Sequence, residues 1–293
     1  MAAKAWKGTT YGNSWMHAWL IRLLKVLDVR ILYVFSDVFV IPFFMLFSSG
    51  PGHVRRFYRE GLGFSAFKAW RLSWSNLCKF SQAVIDKFAM YAGKRFKVEV
   101  EGYGHFKALA DKPEGFVQLS SHLGNYEIAG YTLAATQKRL NAVVFGGEKD
   151  SVMASRTQMF EATNVRMIPV REDMGHLFHI DKALSDGEIV SIPGDRVFGS
   201  AKVLKTSFLG REASFPAGPF SVAAMRGLGV ISVSVMKTAP KAYKIYVTPM
   251  PYDTDAPRKE QLRQLVGAYG AEVERLVREY PAQWYNYFDF WAQ

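Results

Sequence analysis

From residue 96 onward, short runs rich in β-branched residues alternate with helical stretches, and this alternation restricts the fold more than any other feature of the chain. The candidate strands are Phe96–Glu101, Gly115–Ser120, Ala142–Gly146, Met167–Val170, Glu188–Ile192, Val203–Phe208, Val230–Val235 and Lys244–Pro249. The candidate helices cover 125–136, 151–163, 173–186, 218–226 and 257–280. Such alternation predicts an α/β fold with helices layered on a central sheet. Because strands follow one another between 200 and 250, we expect the sheet to be mixed.

The N-terminal third has a different pattern. Apolar and aromatic residues recur at helical spacing over 51–95, and Gly93 predicts the end of that helix. The apolar stretch Ile31–Phe47 contains Asp37 and Pro42, whereas a spanning helix needs about 20 apolar residues and disfavours a central acid. Residues 15–50 therefore predict one or two helices that lie in or dip into a membrane face, with a buried core pair as the alternative.

We divide the chain into a basic, helical, membrane-associating region over 1–95 and an α/β domain over 96–293. Residues 1–97 contain 15 Lys and Arg but only four acids, which leaves 22 of each for the rest of the chain. The whole net charge of +11 therefore lies in the N-terminal third, beside the most apolar segment. This arrangement favours anionic lipid or an acidic partner. With no zinc spacing and no recognition helix rich in Arg and Lys, the sequence predicts no nucleic-acid binding.

The passage around His122 contains the residues best suited to catalysis. A predicted buried strand runs into His122, Gly124 and Asn125 form a turn, and a helix follows. Reacting groups gather at the carboxyl ends of such strands, and a neutral histidine there can act as a general base. Glu127 can meet His122 only if the chain turns at Gly124, and it would then fix the imidazole tautomer. The alternative is a core histidine beside a Glu that complements the helix dipole.

Four motifs occur in an order and spacing that indicate a family. They are His122-Leu-Gly-Asn-Tyr-Glu127, Met167-Ile-Pro-Val-Arg171, Gly194-Asp195-Arg196-Val-Phe-Gly199 and Phe208-Leu-Gly-Arg-Glu-Ala-Ser-Phe215-Pro216-Ala-Gly218-Pro219. In these blocks the chain resembles the lysophospholipid acyltransferase superfamily, and within it the bacterial lipid A late acyltransferases of the lauroyl/myristoyl type. The resemblance implies a glycerolipid acyltransferase-like fold.

The resemblance also implies a mechanism. His122 would deprotonate the acceptor hydroxyl and Glu127 would orient His122, which makes this the HX4E motif of the family. The hydroxyl would attack an acyl thioester directly, consistent with the lack of a Gly-x-Ser-x-Gly elbow in the sequence. Backbone N–H groups near Gly124, or Arg171, would stabilise the oxyanion. The implied substrate-binding residues are Arg171, which would hold an anion of the acceptor, with Asp195, Arg196, Gly124, Asn125, Phe215 and Pro216.

The implied donor is an acyl-acyl carrier protein, so we expect no cofactor. No metal is expected either, since the six His do not pair with acids at ligand spacing. Acyl carrier protein is acidic, and a basic face in residues 55–97 would receive it or rest on anionic lipid. The implied partners are acyl carrier protein, a lipid acceptor and the membrane surface. The implied location is the cytoplasmic face of a bacterial inner membrane.

The acceptor stays open. A lipid A precursor is favoured, but the segment Gln283–Trp291 is more aromatic than in a typical lipid A enzyme. It resembles relatives that acylate other amphiphiles, such as an aminolipid or an aryl polyene lipid. A thioester hydrolase and a non-catalytic, acyltransferase-like membrane binding protein are further alternatives. The set His122, Glu127, Arg171 and Asp195 argues against a non-catalytic protein, and the apolar N-terminal segment favours a lipid acceptor over water.

Overall fold

The computed structural model describes residues 14–48, 50–133, 138–145, 164–170, 174–197 and 202–292. Its N-terminal part is helical, with α1 (Ser14–Val26), α2 (Val29–Phe35), α3 (Ile41–Phe47), α4 (Gly50–Glu60) and α5 (Ala66–Tyr91). A π-helical turn, Ser36–Val40, joins α2 to α3. The helical pattern predicted over 51–95 is thus two helices. The break falls at 61–65, where Gly63 has a φ of 66° and the Ser65 side chain caps α5 by accepting from the Lys68 N–H.

The first three helices pack on α5 through one side only. Leu24, Val29 and Tyr33 are buried against Ile85 and Phe88 of α5. The outward side exposes large apolar side chains, namely Trp15, Trp19, Ile31, Val34, Phe35, Val38, Phe39, Phe43, Leu46 and Phe47. The stretch Val29–Phe47 is long and apolar enough to cross a membrane, and only 22% of it is buried. A buried pair of core helices, the alternative for this segment, is therefore not what the described residues form.

The second part of the chain forms the strands. They are β1 (Lys97–Glu101), β2 (Phe116–Ser120), β3 (Leu140–Phe145), β4 (Val165–Val170), β5 (Ile189–Pro193), β6 (Val203–Phe208), β7 (Arg211–Pro216), β8 (Val230–Ala239) and β9 (Ala242–Pro249). Seven of them make one sheet in the order β1-β9-β8-β2-β5-β3-β4, in which only the β8–β9 pair is antiparallel. The predicted mixed sheet is confirmed. Strands β6 and β7 form a separate hairpin, and β7 was missed from the sequence.

Helices cover both faces of the sheet. They are α6 (Tyr103–Ala110), α7 (Ala129–Thr132), α8 (Gly175–Ser185), α9 (Ala217–Arg226) and α10 (Arg258–Glu279). One buried cluster joins the sheet to α8, α9 and α10, and a second joins it to α6 and α7. The helix predicted over 125–136 is instead a 3-10 turn, Tyr126–Ile128, followed by the short α7. The helix predicted over 151–163 lies outside the described residues.

Candidate active site

Strand register places His122 and Asp195 side by side. Strands β2 and β5 are parallel, and Ser120 at the end of β2 lies opposite Pro193 at the end of β5. His122 and Asp195 each lie two residues beyond that pair. The Gly194 N–H donates to the Ser120 carbonyl at 2.9 Å, which extends the pairing past the end of the strand. A Cβ on Gly194 would lie 3.0 Å from the Tyr269 ring, so a larger residue would press against that ring.

The Asp195 carboxylate accepts three hydrogen bonds. Its Oδ1 lies 2.8 Å from His122 Nδ1, and its Oδ2 accepts from the His122 backbone N–H at 2.9 Å and from the Trp284 indole Nε1–H at 3.3 Å. Asp195 is 1% exposed and His122 is 25% exposed. Because an ionised carboxylate only accepts, Nδ1 must carry the imidazole proton, and the Nε2 lone pair is then free to take a proton.

The charges around the pair favour a neutral imidazole beside an ionised carboxylate. Burial lowers the pKa of His122 below its ordinary 6.5, Arg196 lowers it further, and Asp195 opposes both. Burial alone would raise the pKa of Asp195, but the contacts with His122 and the charge of Arg196 outweigh it and bring that pKa to about 2. These are the protonation states that a general base and its orienting carboxylate need near neutral pH.

Glu127 has different partners. Its Oε1 lies 3.0 Å from Lys87 Nζ, and its Oε2 accepts from the Tyr91 hydroxyl at 3.1 Å. Lys87 and Tyr91 are one turn apart on α5, so the 3-10 turn after Asn125 directs Glu127 toward that helix. Within the described residues, the carboxylate bonded to the His122 ring is therefore Asp195, and Glu127 bonds α5 instead. A catalytic need for Glu127 stays a prediction.

The turn between His122 and Glu127 depends on Gly124. Its φ is 61°, and a Cβ there would lie 1.8 Å from the Val235 carbonyl oxygen, a distance that no side chain tolerates. The Gly124 N–H donates to the Gln283 carbonyl at 2.8 Å, and the Asn125 N–H donates to the Val235 carbonyl at 2.9 Å. Both N–H groups are thus occupied, and neither supplies the oxyanion donor that the sequence suggested near Gly124.

Two further predicted binding residues face protein atoms. The buried Asn125 side chain donates weakly to the Ala83 carbonyl at 3.4 Å and to the Tyr243 hydroxyl at 3.5 Å. Arg196 is half-buried beside the His122–Asp195 pair and donates through Nη2 to the Tyr285 carbonyl at 2.7 Å. Asn125 thus bonds α5 and β9, and Arg196 bonds the C-terminal segment. The sequence pattern did not reveal these contacts, and a role of Asn125 or Arg196 in substrate binding stays a prediction.

The remaining predicted residues separate into a buried pair and one residue that is not described. Phe215 is fully buried and packs edge-on against Phe208 and Tyr269, so it supports the site from the core. Pro216 is also buried and ends β7, directly before α9 begins. A contact of either residue with substrate stays a prediction. Arg171 lies outside the described residues.

Sequence reasoning missed the contribution of the C-terminal segment. The Tyr285 N–H donates to the His122 carbonyl at 3.1 Å, and Leu123 forms an antiparallel bridge with Trp284. Trp284 is buried and packs edge-on against Phe57 and Phe208. The segment is therefore one wall of the site. Its aromatic composition was the only signal in the sequence, and that composition did not indicate which motif it contacts.

Comparisons with known proteins identify the family of the chain. A model of the family described as bacterial lipid A biosynthesis acyltransferase matches residues 83–291. Among solved structures, the chain is similar to the crystal structure of the 1-acyl-sn-glycerophosphate (LPA) acyltransferase PlsC from Thermotoga maritima. That likeness has 14% sequence identity and a TM-score of 0.40, and it covers 93% of this chain and 99% of that one. A search of curated proteins found no match.

Proposed function

Because the chain belongs to the bacterial lipid A biosynthesis acyltransferase family and is thus an acyltransferase, we propose that it moves a fatty acyl chain from an acyl carrier protein thioester to a hydroxyl of a lipid A precursor. The observation that carries this proposal is the His122–Asp195 pair, in which Nδ1 is held at 2.8 Å and Nε2 is left to act. A base of this kind is what transfer to a hydroxyl requires.

The proposed reaction is a direct displacement. His122 Nε2 removes the proton from the acceptor hydroxyl as its oxygen attacks the thioester carbonyl carbon. Asp195 stabilises the imidazolium that forms. The tetrahedral intermediate then collapses, the C–S bond breaks, and the sulfur leaves with the proton from Nε2. The products are the acylated lipid and the free thiol of the carrier, and no metal or redox cofactor takes part.

The helical region supports a lipid acceptor and an acidic donor. The outward apolar side of α1 to α3 would rest in the bilayer. A cytosolic donor and the basic N-terminal region would put the proposed reaction at the cytoplasmic face of a bacterial inner membrane. Arg55 and Arg59 of α4 and Arg71 of α5 are exposed and would attract acyl carrier protein or anionic lipid. Lys87, which belongs to the basic face predicted from the sequence, instead pairs with Glu127.

An in vitro transfer assay tests the proposal. Protein in detergent receives a set of acyl carrier protein thioesters and tetra-acylated lipid A precursor, and mass spectrometry looks for one added acyl chain. We expect product from the wild type, and a loss of at least about 100-fold in His122→Ala, since a general base contributes on that scale. The exposed His105→Ala on α6 is the matched control and should stay active.

The assay has three informative contrary outcomes. Turnover by His122→Ala at the wild-type rate would refute the general base. Donor consumption without acylated lipid A would redirect the acceptor to an aminolipid or aryl polyene lipid, or to water. No donor consumption by folded protein with a validated donor set would favour the non-catalytic membrane binding protein.

A further inference from the structure

The Asp195 carboxylate accepts a third hydrogen bond that is not needed to orient the imidazole of His122. The carboxylate is already bonded to His122 twice, through the ring and through the backbone N–H, and those two bonds define its plane. The Trp284 indole Nε1–H adds a donor to Oδ2 at 3.3 Å. A donor on a buried carboxylate withdraws negative charge from the face that the imidazole sees.

We propose that Trp284 tunes the basicity of His122 by sharing the charge of Asp195. This rests on the proposed function, since it assigns a positioning residue to the same site. The indole is fixed in place: its backbone bridges Leu123, and its ring is held by Phe57, Phe208 and Phe290. Loss of the indole N–H should leave more negative charge on the Asp195 carboxylate. The imidazolium of His122 would then be stabilised more, and the histidine would titrate at a higher pH.

Three other groups face the His122–Asp195 pair and could influence the pKa of His122. Arg196, on the same loop as Asp195, lowers the pKa of His122. Tyr126 packs edge-on against the imidazole with 6.1 Å between ring centroids. Tyr269 on α10 faces Asp195, and its pKa lies well above the ordinary value because the residue is buried, so it stays neutral. A substitution of Trp284 removes none of these three groups.

Trp291 provides a matched control. It lies in the same aromatic cluster as Trp284, stacking on Phe57 and packing edge-on against Phe290. Its Nε1 is buried and has no hydrogen-bond partner in the described part of the chain. Trp284→Phe and Trp291→Phe therefore remove the same atoms from one cluster, but only the first removes a donor from Asp195.

The experiment is a titration of His122 by ¹⁵N NMR in detergent-solubilised full-length protein, with the signal assigned by its loss in His122→Gln. We expect Trp284→Phe to raise the apparent pKa of His122 by about 0.5 to 1 pH unit, because hydrogen bonds to charged groups are energetically significant. Trp291→Phe should leave it at the wild-type value. Equal titrations in the two variants would overturn the proposal.

A second measurement uses the wild type, so it does not depend on how well Trp284→Phe folds. The indole Nε1–H signal of Trp284 should shift as His122 titrates, whereas that of Trp291 should not. A Trp284 signal that stays constant through the His122 titration would also overturn the proposal. Neither readout requires turnover. Failure of the transfer assay would thus refute the proposed function without deciding this inference, and a constant Trp284 signal in an active enzyme would refute the inference alone.

Discussion

At the scale of single residues, the reactivity of His122 depends on one buried carboxylate. Asp195 holds the ring through Nδ1 and also bonds the His122 backbone, so rotation of the imidazole would break a bond at 2.8 Å. Burial and Arg196 lower the pKa of the ring, and Asp195 raises it. The balance favours a neutral imidazole near neutral pH, and that is the state a base requires.

Asp195→Asn should lower kcat by about 10³- to 10⁴-fold, because the amide no longer fixes the reactive tautomer. The acid limb of kcat/KM should lie below pH 6.5 in the wild type, since the pKa of His122 is lowered, and activity is lost as the pH falls through that value. In Asp195→Asn, the acid limb of the residual activity should lie at still lower pH, because the variant lacks the carboxylate that raises the pKa of His122. The pH–rate profile checks both expectations.

The matched control for this prediction is Asp289→Asn, which breaks only an exposed ion pair with Arg56. An acid limb that moves to higher pH in Asp195→Asn would contradict the proposed electrostatic effect of Asp195 on His122. Glu127→Gln is the informative comparison. If its limb moves while that of Asp195→Asn does not, the orienting carboxylate is Glu127, as the sequence alone suggests.

At the scale of elements, the connection from β2 to α7 determines which way each side chain faces. The glycine at 124 turns the chain against β8, and the 3-10 turn that follows carries Glu127 to α5. A regular helix starting at Asn125 was the simpler prediction, and it was wrong. Strand β8 and the C-terminal segment bind the N–H groups of this connection, so tertiary contacts replace the helical hydrogen bonds.

Gly124→Ala should therefore damage the site more than a positive φ alone predicts. The left-handed conformation costs an alanine about 1 kcal/mol, and the added Cβ must also displace the Val235 carbonyl. We expect activity to fall at least about tenfold. Gly210→Ala is the control: Gly210, in the β6–β7 hairpin turn, has a φ of 76°, but a Cβ added there would meet no heavy atom of the described residues within 4 Å. Equal losses of activity and melting temperature in both variants would contradict this argument.

At the scale of the whole molecule, α5 joins the outward apolar helices to the site. One side of α5 packs against α1 and α2, and the other side contacts Asn125 and Glu127. A buried polar cluster strengthens this junction: Asp86 of α5 bonds Tyr33 of α2, Lys237 of β8 and Tyr243 of β9. Removing one partner of a buried ion pair leaves the other charge buried and uncompensated. Replacing both partners with apolar residues leaves no buried charge.

Asp86→Ala should lower the free energy of unfolding by about 3 to 5 kcal/mol because it strands Lys237, whose side chain is only 3% exposed. The double variant Asp86→Leu/Lys237→Met should recover most of that loss. Thermal unfolding in detergent measures both. A double variant as unstable as Asp86→Ala would show that the cluster contributes through its shape and not through its paired charges.

The apolar side of the segment Val29–Phe47 yields a test of membrane association. Phe39→Ser/Phe43→Ser removes two side chains that are about two-thirds exposed, so folding should change little. Binding to anionic vesicles should weaken by at least about tenfold, because each buried aromatic side chain contributes roughly 1.5 to 3 kcal/mol. Met225→Ser, at an equally exposed apolar position on α9, is the control. Sedimentation of the double variant at the wild-type level would place the anchor elsewhere.

Deletion of residues 1–50 tests the same anchor less cleanly. It should release the protein from membranes, as the sequence predicted, but it also uncovers Ile85 and Phe88 on α5. A truncated chain that sediments could then be aggregated through that newly exposed side. The paired substitutions avoid this ambiguity because they leave the buried contacts of Leu24 and Val29 intact.

The sequence by itself determined the features that arise from neighbouring residues. The strand that ends before His122, the turn at Gly124 and the alternation that forms a mixed sheet follow from local patterning and from the conformational freedom of glycine. The four ordered motifs were sufficient to predict the family. These features were readable because each is encoded within a few residues of chain.

The tertiary structure alone decided which groups meet. Asp195 reaches His122 because β2 and β5 are neighbours in register, although they are far apart in the chain. Trp284 completes the site because the C-terminal segment returns to pair with Leu123, and Lys87 meets Glu127 because α5 lies across the same turn. Glu127 is the acid nearest to His122 along the chain, but Asp195 is the one bonded to the imidazole, because sheet pairing and long-range packing position side chains without regard to their separation in sequence.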